Sequence, residues 1–291
     1  MHRKIISLTL WLAMGLMSAL SAKAQPLELH GTLEQGALVT GKVAPGTRVL
    51  LDGKKVRIAP SGVFALGFDR DAKPQAVLTV VAPTGTHSTQ TLQIKQREYD
   101  IQRVTGVPQQ TVEPPPEQLQ RILEEQKLVE RARAVDSDRE DFVGPFAWPL
   151  QGPISGVYGS QRFYNGVAGR PHFGVDVAAP VGTQVRAPAD ATVTLAQPDL
   201  FFSGGTLIMD HGYGVSSTFM HLSRLLVKSG EQVRAGQVVA EVGATGRASG
   251  PHLDWRINWF NVRLDPQTVV EPMPMRALPS VTATPIPAQT Q

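Results

Sequence analysis

Short runs of β-forming residues, separated by Gly and Pro turns, fill residues 26–98 and again about 142–270. Runs of about four to eight Val, Ile, Leu and Thr residues are typical of strands, because a helix needs a longer periodic segment. One segment, residues 117–135, departs from this pattern. It is rich in Leu, Glu, Gln, Arg and Ala, with apolar residues at helical spacing. The sequence therefore predicts a mainly β chain, with two sheet domains joined by a short helix.

The domain boundaries follow from changes in composition along the 291 residues. Residues 25–98 are predicted to form a small β-sandwich, immunoglobulin-like in its short and regular strand spacing. Within them, Asp52-Gly53 predicts a two-residue hairpin. Residues 99–140 are predicted to contain a Pro-rich linker and the helix. Residues 141–270 are predicted to form an antiparallel β-sheet domain of ordinary size. Residues 271–291, rich in Pro, Thr, Ala and Gln, are predicted to be disordered.

The first 24 residues have the pattern of a secretory signal peptide. MHRK provides a positive start, residues 5–20 are apolar, and Ala22-Lys23-Ala24 is a small-residue cleavage site. The alternative is a membrane anchor, but the apolar run is shorter than the ~20 residues that a spanning helix needs. We therefore expect export with cleavage, and no transmembrane segment in the mature chain.

Cleavage would also change the charge of the chain. Removing Arg3, Lys4 and Lys23 from the 28 basic residues leaves 25, equal to the 25 acidic residues. A neutral mature chain gives no argument for a nucleic acid or an anionic membrane as a partner. The chain contains no cysteine, which excludes disulfides, thiolate metal sites and a catalytic thiol.

Five residues of the second domain are of types that bind zinc or transfer protons: His172, Asp176, His221, His252 and Asp254. Residues at i and i+2 of a strand share a face, so His252 and Asp254 can point into one cleft. His172 and Asp176 would lie about 13 Å apart on an extended strand, so His172 is expected in a turn before the strand that carries Asp176. Each pair by itself is a weak signal.

The order of the surrounding motifs is more specific. The chain resembles the lysostaphin-type (LytM-like) zinc endopeptidases of bacterial cell walls over roughly residues 146–270. The motifs are HFGVD (172–176), APVGT (179–183), HLS (221–223), AGQVV (235–239), VGATG (242–246) and SGPHLDW (249–255). The resemblance implies zinc ligands at His172, Asp176 and Asp254, and catalytic histidines at His221 and His252.

Asp254 is a departure from that family, in which a second histidine completes a His-Leu-His motif. If the family histidine binds zinc through its Nδ1, an aspartate oxygen can occupy nearly the same place, since each donor lies two bonds from Cβ; aspartate is a normal zinc ligand. Two carboxylates and one imidazole would cancel the double positive charge of zinc. We therefore expect a weaker Lewis acid and a bound water that ionises less readily.

Asn165 has two interpretations. Some relatives place a latent, inhibitory metal ligand at this position, whereas an asparagine followed by Gly166 is also typical of a tight turn. His211, in MDHGYG, is interpreted as structural.

The resemblance implies hydrolysis of the peptide cross-links of peptidoglycan in the periplasm, with one histidine as general base and the other as oxyanion donor. The first alternative is a catalytically degenerate member that binds or activates a cell-wall amidase. The second alternative makes the N-terminal sandwich the functional module, binding glycan or a protein partner.

Overall fold

The computed structural model describes residues 27–105 and 116–273. The predicted signal peptide lies outside the described residues, as do the middle of the Pro-rich linker and the tail beyond residue 273. The described part contains twenty strands and one α-helix, and its strand pairs are antiparallel with one exception, so the mainly β prediction is confirmed. Within the same residues, no helix is both long enough and apolar enough to span a bilayer.

The N-terminal domain consists of two sheets, with strand orders β1-β2-β5 and β4-β3-β6-β7. The strands are β1 (Glu28–His30), β2 (Leu38–Lys42), β3 (Arg48–Leu51), β4 (Lys54–Val56), β5 (Val63–Gly67), β6 (Gln75–Val81) and β7 (His87–Gln93). The two sheets share one hydrophobic cluster that includes Val39, Phe64 and Leu78. Two sheets on one core are what the sandwich interpretation describes, and both the sandwich and its immunoglobulin-like strand order stay predictions.

Asp52-Gly53, a pair typical of two-residue hairpins, connects β3 to β4. Both residues have positive φ angles, +48° and +76°. Glycine adopts this region at no steric cost and aspartate tolerates it better than most residues, so the hairpin prediction is confirmed.

Thirteen further strands follow within the described residues. They are β8 (Ile101–Val104), β9 (Ile154–Gly156), β10 (Gln161–Tyr164), β11 (Val167–Ala168), β12 (Val175–Ala178), β13 (Gln184–Arg186), β14 (Ala191–Leu200), β15 (Gly204–Gly212), β16 (Val215–Leu225), β17 (Gln232–Val233), β18 (Val238–Val242), β19 (His252–Trp259) and β20 (Val262–Leu264). Short 3-10 turns lie at Pro116–Gln118, Asp141–Val143 and Pro266–Thr268. β8 pairs in parallel with β10. The sequence predicted a Pro-rich linker and a helix over residues 99–140, so a strand in this segment departs from that prediction.

The large sheet has the order β17-β14-β15-β16-β19-β12-β9, with β13, β18 and β20 attached at its side. Its two faces differ in chemistry because successive side chains of a strand alternate. Phe219, Trp255 and Ile257 lie in the main hydrophobic core. The alternate residues Asp254 and Arg256 lie on the opposite face, which is polar.

The one α-helix of the described residues, α1 (Leu119–Arg133), packs against this opposite face. Its Ala132 joins Leu195 and Ile208 of the sheet in a small apolar cluster. At the other end of the helix, the guanidinium of Arg121 donates to the Asp199 carboxylate at 3.0 Å. The predicted helix is confirmed, with bounds two residues inside those predicted at each end.

Candidate metal centre

The antiparallel register of β12 and β19 brings distant parts of the sequence together. It places Asp176 opposite Asp254 and Ala178 opposite His252. Directly opposed residues point to the same face, so both aspartates lie on the polar face. His172 lies outside and before β12, as the sequence predicted, in an irregular segment that bends at Gly174. Donor atoms of His172, Asp176 and Asp254 all lie within 4.8 Å of one another.

Two of these donor atoms are buried and lack hydrogen-bond partners within the described residues: His172 Nε2 and Asp176 Oδ1. They lie 3.2 Å apart, but their orientation does not meet hydrogen-bond geometry. Tetrahedral zinc with bonds of ~2.0–2.1 Å would hold neighbouring donors about 3.3 Å apart. Because buried polar atoms are costly without a partner, this pair fits ligands that share one cation.

The third member of the ligand group, the Asp254 carboxylate, is held by an arginine on its own strand. Arg256 Nε donates to Asp254 Oδ1 at 2.8 Å, and Arg256 Nη2 donates to Oδ2 at 2.6 Å. The Asp254 residue is only 3% exposed. Burial acts to raise the pKa of Asp254, but the charge and the hydrogen bonds of Arg256 outweigh it and hold the pKa below the usual value.

Arg256 changes the charge count expected from the sequence. Each carboxylate oxygen can accept two interactions, so an Asp254 oxygen bound to Arg256 can still bind a metal. The guanidinium charge offsets that of Asp254, which leaves one net negative charge from Asp176. That total equals the charge of a set with two neutral imidazoles and one carboxylate. The expectation of a weaker Lewis acid treated the negative charge of Asp254 as uncompensated, because it did not consider Arg256. The signal was an opposite charge two residues further along the same strand.

Gly174, in the HFGVD motif, makes room for this ion pair. A Cβ atom at Gly174 would lie 2.7 Å from Asp254 Oδ1 and 2.7 Å from Arg256 Cγ. Any larger residue would therefore push against the carboxylate and its partner. The absence of a side chain here is a packing requirement of the site.

The two other histidines lie beside the ligand group, with ring centroids 4.9 Å apart. His221 Nδ1 lies 2.8 Å from the Thr245 carbonyl oxygen, and His252 Nδ1 lies 2.8 Å from the Gly250 carbonyl oxygen. Carbonyls only accept, so each Nδ1 carries a proton and each Nε2 is left for chemistry. His252 Nε2 is 3.9 Å from Asp176 Oδ1. Burial lowers the pKa of His221, so its ring is neutral at neutral pH.

A β-bulge turns the His221 side chain toward the ligand group. Simple alternation would send His221 to the face opposite that of Met220. The register between β15 and β16 shifts here, and His221 has a φ of +63°. Such an extra residue bends the strand and redirects a side chain. Thr245, which sequence reasoning missed, fixes the arrangement: its hydroxyl donates to the Leu222 carbonyl at 2.9 Å and accepts from the Gly205 N–H at 2.9 Å.

Asn165 and Gly166 form the two-residue turn between β10 and β11, with φ angles of +51° and +85°. This geometry is the one that the turn interpretation describes.

His211 is fully buried and lies outside the ligand group. Its Nδ1 is 2.8 Å from the Asp190 carbonyl oxygen and its Nε2 is 2.7 Å from Ser217 Oγ. Both ring nitrogens are thereby occupied, which agrees with the structural interpretation.

We predict that His211 makes the protein less stable in mild acid. Burial lowers its pKa to about 4, against an unfolded value of about 6.5. Between these values the unfolded chain binds a proton that the native chain does not. The neutral His211 ring therefore contributes up to about 3 kcal/mol to the free energy of unfolding. This contribution is complete above pH 6.5 and is lost as the pH falls toward 4. Urea unfolding at pH 7.5 and pH 5 measures it, and His211→Asn should flatten the difference. Equal pH dependence in the variant and the wild type would contradict the prediction.

The fold and the site together define a metallopeptidase-like protein, and comparisons with known proteins give its family. Residues 170–266 match peptidase family M23. A solved structure of a Pseudomonas aeruginosa protein assigned to peptidase M23 is 30% identical, with a TM-score of 0.64, and the match covers 82% of this chain and 95% of that chain. The chain belongs to peptidase family M23, and the family resemblance seen in the motifs is confirmed.

Curated relatives match over a shorter stretch. Peptidoglycan DD-endopeptidase ShyC of Vibrio cholerae is 36% identical over 103 residues, which are 35% of this chain and 24% of that protein. An uncharacterized metalloprotease of Haemophilus influenzae is 39% identical over 103 residues, 35% of this chain and 22% of that protein. The chain thus spans about a quarter of the length of the curated relatives it matches.

Proposed function

We propose that this protein is an exported zinc endopeptidase that hydrolyses the peptide cross-links of peptidoglycan in the periplasm. The observation that carries the proposal is the pair of buried, unpartnered donor atoms, His172 Nε2 and Asp176 Oδ1, next to Asp254 and two histidines. The signal-like residues 1–24 support export. The similarity to a protein named as a peptidoglycan DD-endopeptidase supports the substrate class and a bond between D-configured centres.

His172, Asp176 and Asp254 would hold the zinc, which when bound supplies an activated water and polarises the scissile carbonyl. The remaining chemistry belongs to His221 and His252. Because the Nδ1 proton of each ring is committed to a backbone carbonyl, only a neutral ring can accept a proton at Nε2. One neutral ring therefore acts as general base toward the attacking water. The other ring stabilises the oxyanion only when Nε2 carries a proton, as a charged imidazolium.

The hydrogen bonds of Arg256 to both oxygens of Asp254 favour a second candidate function. A carboxylate already engaged by an arginine has less electron density to give a metal, and a metal-free site could bind a partner protein rather than cut a peptide. In that case the protein would regulate a cell-wall amidase. The two candidates differ in zinc content and in activity on cross-linked muropeptides.

We predict that the purified chain holds about one zinc ion and converts cross-linked muropeptide dimers to monomers. His221→Gln should keep the zinc, because His221 is outside the ligand group, and should slow cleavage by about 100-fold or more. Metal analysis and chromatographic separation of the digests measure both quantities. A zinc-free wild type that leaves every dimer intact would support the regulator instead.

A further inference from the structure

Arg133, at the end of α1, is a buried arginine without a counter-ion. The residue is 9% exposed, and its Nε is buried with no hydrogen-bond partner. Within the described residues, the Arg133 side chain makes no hydrogen bond and no ion pair. A buried guanidinium is costly when unpaired, so this position is suited to a negatively charged ligand.

Arg263 is a second arginine without an ion-pair partner, and it is half-buried. It lies opposite Asn258 in the β19–β20 pair, and Asn258 is two residues beyond Arg256, so Arg256 and Arg263 share the polar face. The described part of the chain gives the Arg263 side chain neither an acidic partner nor a hydrogen bond. Burial, followed by the charges of Arg256 and Arg170, lowers the pKa of Arg263 to about 10.

The end of α1 lies over this part of the sheet, because Ala132 packs with Ile208. Ile208 lies opposite Thr218 on β16, which in turn lies opposite Arg256 on β19. Burial, followed by the charges of Arg263 and Arg256, lowers the pKa of Arg133 well below its usual value. Asp254 is already paired with Arg256, and Glu130, the other acid whose charge acts on Arg133, is exposed. Arg133 and Arg263 are therefore left without an acidic partner among the described residues.

Hydroxyl donors extend the same surface. Thr218 lies opposite Arg256 in the β16–β19 pair, and Ser216 lies opposite Asn258. Thr218 Oγ1 and Ser216 Oγ are both buried without a protein partner among the described residues. Their partners on β19, Arg256 and Asn258, lie about 7 Å and about 14 Å along the strand from Asp254. These distances correspond to two and four residues of an extended peptide.

We propose that Arg133 and Arg263, beside Arg256, form an anion subsite that binds a carboxylate of the peptide substrate next to the metal centre. The planar guanidinium fork matches a carboxylate with two parallel hydrogen bonds. Peptidoglycan stem peptides carry free carboxylates within this distance of a cross-link, so the subsite would select stems with unmodified acids. The choice of a substrate carboxylate rests on the proposed function, whereas the positive subsite itself does not.

The test is calorimetric binding of a stem tetrapeptide, with free carboxylates or with all of them converted to carboxamides, to the full chain. We expect the wild type to prefer the carboxylate form by about 10-fold or more, the worth of a charge-assisted hydrogen-bond pair. Arg133→Gln and Arg263→Gln should lose this preference. Arg131→Gln, which removes an exposed arginine from the same turn of α1, should keep it.

Equal binding of the two peptides by the wild type would overturn the subsite, as would a preference that survives in both variants. Thermal melts check folding, and if Arg133→Gln does not fold, Arg263→Gln decides. Sulfate that raises the melting temperature of a wild type without any carboxylate preference would point to a small inorganic anion and contradict a substrate role. Cleavage of muropeptide dimers is measured in parallel. A carboxylate preference without cleavage contradicts the hydrolase proposal but not the subsite. Cleavage without a carboxylate preference contradicts the subsite but not the hydrolase proposal.

Discussion

Arg256→Met should lower the free energy of unfolding by about 3–5 kcal/mol, although it removes a single side chain from the edge of the site. The reason is that Asp254, only 3% exposed, would lose both of its guanidinium hydrogen bonds and remain as an unpaired buried charge. Protonation of Asp254 at acid pH would relieve part of the loss. Urea unfolding at neutral pH measures the effect.

Two controls separate burial from ion pairing in general. The Arg224–Glu241 pair lies on the same sheet at 3.4 Å but is exposed, so Arg224→Met should cost less than about 1 kcal/mol. Asp254→His alone should also destabilise, because it leaves Arg256 without its partner. Combining it with Arg256→Met should recover most of the loss, since the pair is then replaced by a neutral ligand and an apolar chain. An Arg256→Met loss no larger than the Arg224→Met loss would contradict the buried-pair interpretation.

His172→Ala should abolish zinc binding under conditions in which the wild type binds one ion. It removes the one imidazole of the proposed set and leaves two carboxylates, one of them held by Arg256. Loss of an outer partner of a ligand weakens binding by 10–100-fold, so loss of the ligand should exceed about 100-fold. Cleavage of cross-linked muropeptides should fall to background. Metal analysis after dialysis and equilibrium zinc titration measure the change.

His87→Ala is the matched control, since His87 is exposed on β7 of the other domain and has no role in the site. It should retain full zinc content and full cleavage. A His172→Ala protein that still holds one zinc per chain would remove His172 from the ligand set and leave the 3.2 Å contact with Asp176 without a metal explanation.

The sequence predicted the elements that depend on local physics. Strand alternation placed His252 and Asp254 on one face, and the distance argument placed His172 outside β12, before its first residue. The Asp52-Gly53 hairpin followed from the conformations that these two residues tolerate. In each case the deciding residues are neighbours in the chain, so local pattern was enough.

The sequence did not predict contacts that depend on distant segments or on side-chain conformation. β8 pairs in parallel with β10, about 60 residues further along the chain, and no local sequence pattern predicts such a pair. Arg133 meets the sheet only because α1 packs on the polar face. The role of Arg256 needed its side-chain conformation as well as its position, since an arginine at that place could equally point to solvent.

X-ray absorption at the zinc edge of the metal-loaded protein tests the proposed ligand set most directly. His172, Asp176 and Asp254 predict a shell of nitrogen and oxygen atoms at ~2.0–2.2 Å with the scattering signature of a single imidazole. Asp254→Ala should then remove one oxygen from that shell. Two or more imidazoles around the ion, with a spectrum unchanged by Asp254→Ala, would mean that His221 or His252 binds the metal and that Asp254 does not.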